Sequence, residues 1–79
     1  MEHSTQYIAN SRSTRRAWAG MIRFAEALGA EIEPRWESFG YFLDDLGYRP
    51  EGAVLRRRDE TQGFTATNCA WMPAPESSR

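Results

Sequence analysis

Two runs of large apolar residues, each repeated at three- and four-residue steps, constrain this chain more than any other feature. The first run begins at Trp18 and ends before Gly29, and the second begins at Trp36 and ends before Gly47. Such spacing places apolar side chains on one side of an α-helix, and a following glycine ends the helix. The sequence therefore predicts two amphipathic helices.

Both helices have recognisable starts. The hydroxyl groups of Ser11 and Ser13 are of the kind that caps a helix N-terminus, so the first helix is predicted from about Thr14 to Leu28. Proline suits the first helical position because its φ is already fixed. The second helix is therefore predicted over Pro34–Leu46.

The C-terminal part of the chain has the alternation of β-strands. Ala53–Arg58 is predicted as a strand with Leu55 and Arg57 on one side. A polar turn over Asp59–Gly63 leads to a second strand-like stretch, Phe64–Met72. The expected fold class is α+β, with two amphipathic helices packed on a C-terminal β-hairpin.

The length of 79 residues allows one domain. A domain of this size buries only about 60–65% of the surface of its unfolded chain, so its core depends on large side chains. We expect a flexible arm over residues 1–10, a single domain over 11–73 and a frayed tail over 74–79. The predicted core consists of Trp18, Ile22, Leu28, Trp36, Phe39, Leu43, Leu46, Leu55 and Trp71.

Charge is distributed unevenly although the formal net charge is only −1. Residues 1–23 contain four arginines against one glutamate, whereas residues 24–51 contain two arginines against seven carboxylates. Residues 52–79 contain four arginines against three carboxylates. An acidic centre between basic ends suits two different kinds of partner.

Residues suited to catalysis are scarce. The only histidine, His3, lies in the predicted arm, and the only cysteine, Cys69, lies in an apolar strand where burial would raise its pKa. One cysteine cannot form an internal disulfide, and no apolar run is long enough to span a membrane. We expect a cytoplasmic, non-enzymatic protein without a cofactor or metal site.

Two charged clusters have alternative interpretations. Asp44 and Asp45 lie near the C-terminus of the second helix, where the helix dipole disfavours them, so they either bond a nearby group or serve a partner. Arg56 and Arg58 share one side of the predicted strand; they either bind phosphate or an acidic surface, or form a solvated edge that discourages aggregation. Arg57 faces the other way and is a candidate partner for Asp45 or Asp59.

An ordered set of residues links these elements. It comprises Trp18-x-x-Met21, Trp36-x-x-Phe39-x-x-Phe42-Leu43-x-Asp45-x-Gly47-x-Arg49-Pro50-x-Gly52, Leu55-x-Arg57-x-Asp59 and Phe64-x-x-x-Asn68-Cys69-x-Trp71. This pattern resembles a phage-borne HNH-type homing-endonuclease family with a DNA-binding module. The resemblance implies contact with DNA, and a catalytic centre that needs histidines and an asparagine.

The sequence departs from that family in two places. Its single histidine, His3, lies outside the matching residues, so nuclease activity is not expected. The connector Gly29–Arg35 is shorter than in the family and contains Glu31 and Glu33. Arg56 and Arg58 also replace residues that are commonly acidic and apolar, so the resemblance implies a retained scaffold with a changed surface.

Two functional hypotheses follow. The first is a phage-type inhibitor, such as an anti-CRISPR protein, that binds a host complex acting on nucleic acid and blocks its access to target DNA. Its partner-binding residues would be Glu31, Glu33, Glu37, Asp44, Asp45, Arg56 and Arg58. The second is a small DNA-binding module that uses Arg12, Arg15, Arg16, Arg56, Arg57 and Arg58, although the sequence pI of about 5.8 is low for such a domain.

Overall fold

The structure is a computed structural model that describes the backbone of residues 2–74 and the side chains of residues 10–74. Its elements are α1 (Glu2–Leu28), a 3₁₀ turn (Pro34–Glu37), α2 (Phe39–Leu46), β1 (Ala53–Arg57) and β2 (Cys69–Pro73). The predicted α+β class is confirmed. Residues 75–79 of the predicted tail lie outside the described residues. Within the described part, no helix has the length and apolar character needed to cross a bilayer.

Helix α1 is longer than the sequence predicts. It begins at Glu2 rather than near Thr14, so the predicted start is wrong. Extending an existing helix by one residue is far easier than starting a new one, and residues 2–10 contain neither proline nor glycine. The flexibility expected for residues 1–10 stays a prediction. Gly29, with φ of 72°, ends the helix as predicted.

The second predicted helix is interrupted at Ser38, so its continuity over Pro34–Leu46 is wrong. Ser38 has an extended backbone, with φ of −101° and ψ of 126°, between the 3₁₀ turn and α2. In one unbroken helix Trp36 and Phe42 would point about 120° apart. The break allows both side chains to be fully buried with their rings 5.0 Å apart, edge to face.

Strands β1 and β2 form the predicted antiparallel hairpin, in a register that pairs Leu55 with Trp71. Phe64 does not begin β2 as predicted; it forms an isolated parallel bridge with Ile32, and a turn intervenes before Cys69. The close approach depends on Gly63, because a Cβ atom there would lie 2.7 Å from the main-chain oxygen of Glu31. The bridge thus attaches the hairpin loop to the connector after α1.

The core differs in part from the predicted one. Its buried members are Met21, Ala25, Trp36, Phe42, Phe64 and Cys69. Six other predicted members pack against it while only partly buried: Trp18, Ile22, Phe39, Leu46, Leu55 and Trp71. The prediction is wrong for Leu28, which is 57% exposed in the last turn of α1.

All three indole N–H groups donate hydrogen bonds that join one element to another. Trp18 Nε1 donates to the main-chain oxygen of Trp36 at 2.7 Å, and Trp36 Nε1 donates to Asp45 Oδ2 at 2.8 Å. Trp71 Nε1 donates to the carbonyls of Leu46 and Gly47 at 3.0 and 3.2 Å. The last bonds satisfy carbonyl groups that the end of α2 leaves without helical partners.

Arg49 connects α1 to the start of β1. Its main-chain N–H donates to the hydroxyl of the fully buried Thr14 at 2.8 Å. Its guanidinium donates to Ser13 Oγ at 3.1 Å and to the Ala53 carbonyl at 2.6 Å. These bonds hold the start of β1 beside α1 and so set the distance between the two elements.

Candidate binding surfaces

Three arginines form one basic face on the outside of α1, which we call the arginine face: Arg12, Arg16 and Arg23. At 100° and 1.5 Å per residue, they lie within about 40° of one another around the helix and span about 16 Å along it. All three are exposed, and none forms an ion pair within residues 10–74. Glu26 is the only acidic residue of α1 between Asn10 and Leu28.

Arg15 does not belong to this face, although sequence reasoning grouped it with Arg12 and Arg16. Its guanidinium carbon lies 4.3 Å from the centre of the Phe39 ring, a cation–π contact that attaches α1 to α2. Sequence reasoning also omitted Arg23 from the nucleic-acid candidates. Its spacing of 11 residues from Arg12 was the available signal.

The three strand arginines have three different environments. Arg56 Nη2 lies 3.8 Å from Glu60 Oε2, a loose pair on the surface, and Arg58 is exposed. Arg57 stacks 4.6 Å from the centre of the Phe64 ring and donates to the Gln62 carbonyl at 2.9 Å. Arg57 therefore has a structural role within the hairpin loop.

Arg57 does not pair with Asp45, which is bonded elsewhere, so that predicted alternative is wrong. For the other predicted partner, Asp59, the pKa is lowered mainly by hydrogen bonds from the hydroxyl and the N–H of Thr61, and least by the charge of Arg57. Asp59 therefore acts within its own turn.

The five predicted acidic partner residues do not share one environment. Asp45 accepts hydrogen bonds from Trp36 Nε1 at 2.8 Å and from Arg35 Nη2 at 3.3 Å, so it bonds a nearby group, the first of the two predicted roles. Glu33 Oε1 accepts the N–H of Ala66 at 3.1 Å. The side chains of Glu31, Glu37 and Asp44 are exposed and form no ion pair in the part that the structure describes.

A cleft of about 530 Å³ separates α1 from β1. Its α1 wall is formed by Ala17, Gly20, Met21 and Phe24. Its other wall and its rim are formed by Arg49, Val54, Leu55, Arg56, Arg57, Glu60 and Phe64. Sequence reasoning missed this cleft because it depends on how far β1 lies from α1; the glycine inside the first helical repeat was the only local hint.

Two residues of types that often act in catalysis, Cys69 and Asn68, are buried or engaged in the described part of the chain. Cys69 is 2% exposed, and burial raises the pKa of its thiol, which keeps it protonated and unreactive at neutral pH. Asn68 uses both ends of its amide to hold the turn, accepting from the Asp59 N–H and donating to the carbonyls of Asp59 and Gly63. Among the described residues, no three His, Cys, Asp or Glu side chains converge as metal ligands. The surface position predicted for His3 falls outside the described side chains.

Comparison of the chain with protein-family models, curated proteins and solved structures returned no match. The resemblance to the HNH-type family thus stays a prediction from the sequence. Among the surfaces of the described residues, the arginine face is the most clearly defined by charge.

Proposed function

We propose that this chain is a non-catalytic DNA-binding module that contacts the phosphate backbone through the arginine face of α1. The supporting observation is that Arg12, Arg16 and Arg23 are aligned and exposed, whereas Arg35, Arg49 and Arg57 are engaged within the fold. Guanidinium groups bind phosphate oxygens through paired N–H donors. Three such groups on a rigid helix supply a sequence-independent contact with a duplex.

The low pI does not oppose this proposal, because charge acts locally. At physiological salt the field of an exposed charge decays over about 8 Å. Only one acidic side chain, Glu26, lies on the same helix between Asn10 and Leu28. Five of the eleven acidic residues that lower the pI belong to the connector, the 3₁₀ turn and α2.

Fluorescence anisotropy with a labelled DNA duplex, measured from about 50 to about 200 mM salt, tests this proposal. The variant R12Q/R16Q/R23Q retains helix propensity because glutamine and arginine favour helices almost equally. We expect it to bind more weakly to every sequence, with the slope of log affinity against log salt reduced by about three.

Glu26→Gln is the matched control, since it changes charge on the same helix in the opposite sense. It should bind the duplex slightly more tightly than the original chain. Equal affinity and equal salt slope for the triple variant and the original chain would contradict the proposal, as would no binding by the original chain at the lowest salt.

A second candidate is the inhibitor hypothesis, favoured by the exposed surface around α2. Glu37 and Asp44 are exposed there, and Tyr41 is 51% exposed. An acidic surface with an aromatic side chain suits a basic, nucleic-acid-receiving surface such as that of a CRISPR effector complex.

The test of this second candidate is a gel-shift assay of a purified CRISPR effector complex on its target DNA. Addition of the chain should prevent the shift, and E37Q/D44N should prevent it less well. R12Q/R16Q/R23Q should block as well as the original chain. No effect of the chain on the complex would remove the inhibitor hypothesis for that effector type.

A further inference from the structure

Within the residues that the structure describes, one edge of strand β1 pairs with β2 and no strand covers the other edge. Two flanking hydrogen bonds, from Arg58 N–H to the Asn68 carbonyl and from Ala74 N–H to the Gly52 carbonyl, fix the pattern of the β1–β2 ladder. Hydrogen-bonded and non-hydrogen-bonded pairs alternate in an antiparallel ladder. The main-chain groups of Val54 and Arg56 therefore point toward β2, whereas those of Leu55 and Arg57 point to the free edge.

The two edges of the hairpin differ in how many main-chain groups are free to pair with another strand. On β2 the outward positions include Pro73, which has no N–H and so interrupts pairing along that edge. On β1 the outward main-chain groups of Ala53 are engaged, its N–H with Pro50 and its carbonyl with Arg49. Leu55 and Arg57 are thus the positions where an added strand would pair.

The free edge of β1 borders the cleft, because four consecutive β1 residues, 54–57, line it. The opposite wall is apolar, and a Cβ atom on Gly20 would meet nothing within 4 Å. Phe24 is 51% exposed although its ring stands edge to face with Phe64, 6.1 Å away. The cleft therefore has room for the side chains of an added strand.

Charge at the rim selects the kind of strand. Three arginines line the cleft, namely Arg49, Arg56 and Arg57, and the one carboxylate among the lining residues is that of Glu60, which is 72% exposed and lies 3.8 Å from Arg56. Arg56 lies on the side of the sheet opposite Leu55. A strand paired with Leu55 would therefore place alternate side chains against the apolar wall and beside Arg56.

We propose that this cleft binds an extended segment of a partner protein, with alternating apolar and acidic residues, by strand addition to the free edge of β1. The apolar residues occupy the space beside Gly20 and Phe24, and the acidic residues replace Glu60 as partners of Arg56. This is the β-augmentation mode of peptide recognition. The residues that line the cleft are not those of the arginine face, although Gly20 adjoins Arg16 and Arg23 on α1, and peptide binding there does not depend on DNA binding.

The probe is a labelled, end-capped heptapeptide in which valine alternates with aspartate. Titration followed by NMR should slow hydrogen exchange of the Leu55 and Arg57 amides, while those of Val54 and Arg56, already bonded to β2, change little. N-methylation of the peptide at the alternate positions whose N–H groups face β1 should weaken binding at least about tenfold. Methylation at the intervening positions is the control and should have little effect.

Variants of the protein separate steric from electrostatic contributions. Gly20→Phe fills the cleft, improves helix propensity and should weaken binding about tenfold or more; Ala27→Phe, on an exposed part of the same helix, should not. Arg56→Gln should weaken binding about two- to fivefold, and Glu60→Gln should strengthen it.

Three results would overturn the proposal. One is equal binding by the original chain and by Gly20→Phe. Another is displacement of the peptide by a DNA duplex with loss of peptide binding in R12Q/R16Q/R23Q, which would place peptide binding on the arginine face instead of in the cleft. The third is sedimentation of the chain alone as a dimer that Gly20→Phe dissociates, which would assign the cleft to a second copy. Normal peptide binding by a triple variant that no longer binds DNA would support it.

Discussion

The two sides of α1 differ in how completely they are packed. On the side of the 3₁₀ turn and α2, the Trp18 indole packs edge to face on Phe39 with ring centres 5.6 Å apart, and Ala25 is fully buried. On the side of β1, Gly20 borders open space and Phe24 is half exposed. Large aromatic side chains thus fill the side toward the 3₁₀ turn and α2, whereas the side toward β1 stays partly open.

The closed side depends on side chains that combine a large apolar body with one hydrogen bond. Each indole fills space and also bonds a carbonyl or carboxylate of another element, so each substitution there removes packing and a bond together. The open side depends on main-chain and guanidinium bonds from Arg49, which set a separation without filling it. Stability and binding are therefore expected to respond to different substitutions.

The largest expected contrast is between two aromatic residues. Trp36→Ala should lower the free energy of unfolding by about 3–5 kcal/mol, because Trp36 is fully buried and donates to Asp45. Phe24→Ala, on the open side, should cost less than about 1.5 kcal/mol. Urea denaturation followed by circular dichroism measures both. Similar losses would show that the two sides are equally important for stability.

Substitution of glycine by alanine should have opposite effects at two positions. Gly63→Ala should destabilise by about 1–3 kcal/mol, since its Cβ would lie 2.7 Å from the Glu31 carbonyl oxygen. Gly20→Ala should stabilise by about 0.5–1 kcal/mol, because alanine favours the helix and meets no neighbour there. Thermal unfolding of both variants gives the comparison, and destabilisation by Gly20→Ala would show that this side is packed.

Loss of the hydrogen bond that connects the two sides is expected to lower the free energy of unfolding by a smaller but measurable amount. Thr14→Val retains the shape of the buried side chain but leaves the Arg49 main-chain N–H without its acceptor. We expect a loss of about 1–2 kcal/mol, whereas Thr14→Ser, which keeps the hydroxyl, should lose less. Native-state hydrogen exchange at the Arg49 amide should be faster in Thr14→Val than in Thr14→Ser. Unchanged protection in Thr14→Val would show that this hydrogen bond does not stabilise the connection.

The smallest expected effect concerns pH at the turn beside the cleft. The hydroxyl and N–H of Thr61 lower the pKa of Asp59 from its ordinary value of 3.8. The folded state therefore binds this proton less readily than the unfolded state does. The hydrogen bonds to the Asp59 carboxylate contribute fully to the free energy of unfolding above the ordinary pKa, and this contribution is lost as the pH falls through the lowered pKa. Thr61→Val should be less stable than the original chain at neutral pH. The difference in free energy of unfolding between the two proteins should become smaller below pH 3.8. A difference that does not change with pH would contradict this account.

The sequence predicts the parts of the fold that local patterns determine. The apolar repeats identify both helical regions, Gly29 and Gly47 mark their ends, and alternation identifies the hairpin. The start of α1 could not be predicted, because periodicity reveals only a helix with an apolar side. The break at Ser38 depends on the shape of the core around Trp36 and Phe42, which no local pattern describes.

The surfaces were less predictable than the fold. Helical spacing aligns Arg12 with Arg16 and Arg23 only when Arg12 belongs to the helix, and the predicted start at Thr14 left Arg12 outside it. The acidic centre is divided in the fold, because Asp45 and Glu33 accept hydrogen bonds from other elements, which charge counted along the chain does not show. Arg49 was missed as a connection because its partners, Ser13 and Thr14, lie about 35 residues away.

Because Cys69 is buried, chemical labelling of its thiol measures how often the hairpin separates from the helices. The thiol is the only one in the sequence and is 2% exposed on β2, opposite Arg57. An aromatic disulfide reagent can modify it only in molecules whose hairpin has momentarily separated from the helices. The labelling rate, divided by that of an unfolded thiol, gives the population of open molecules. A ligand bound along β1 should slow this labelling without touching the thiol itself.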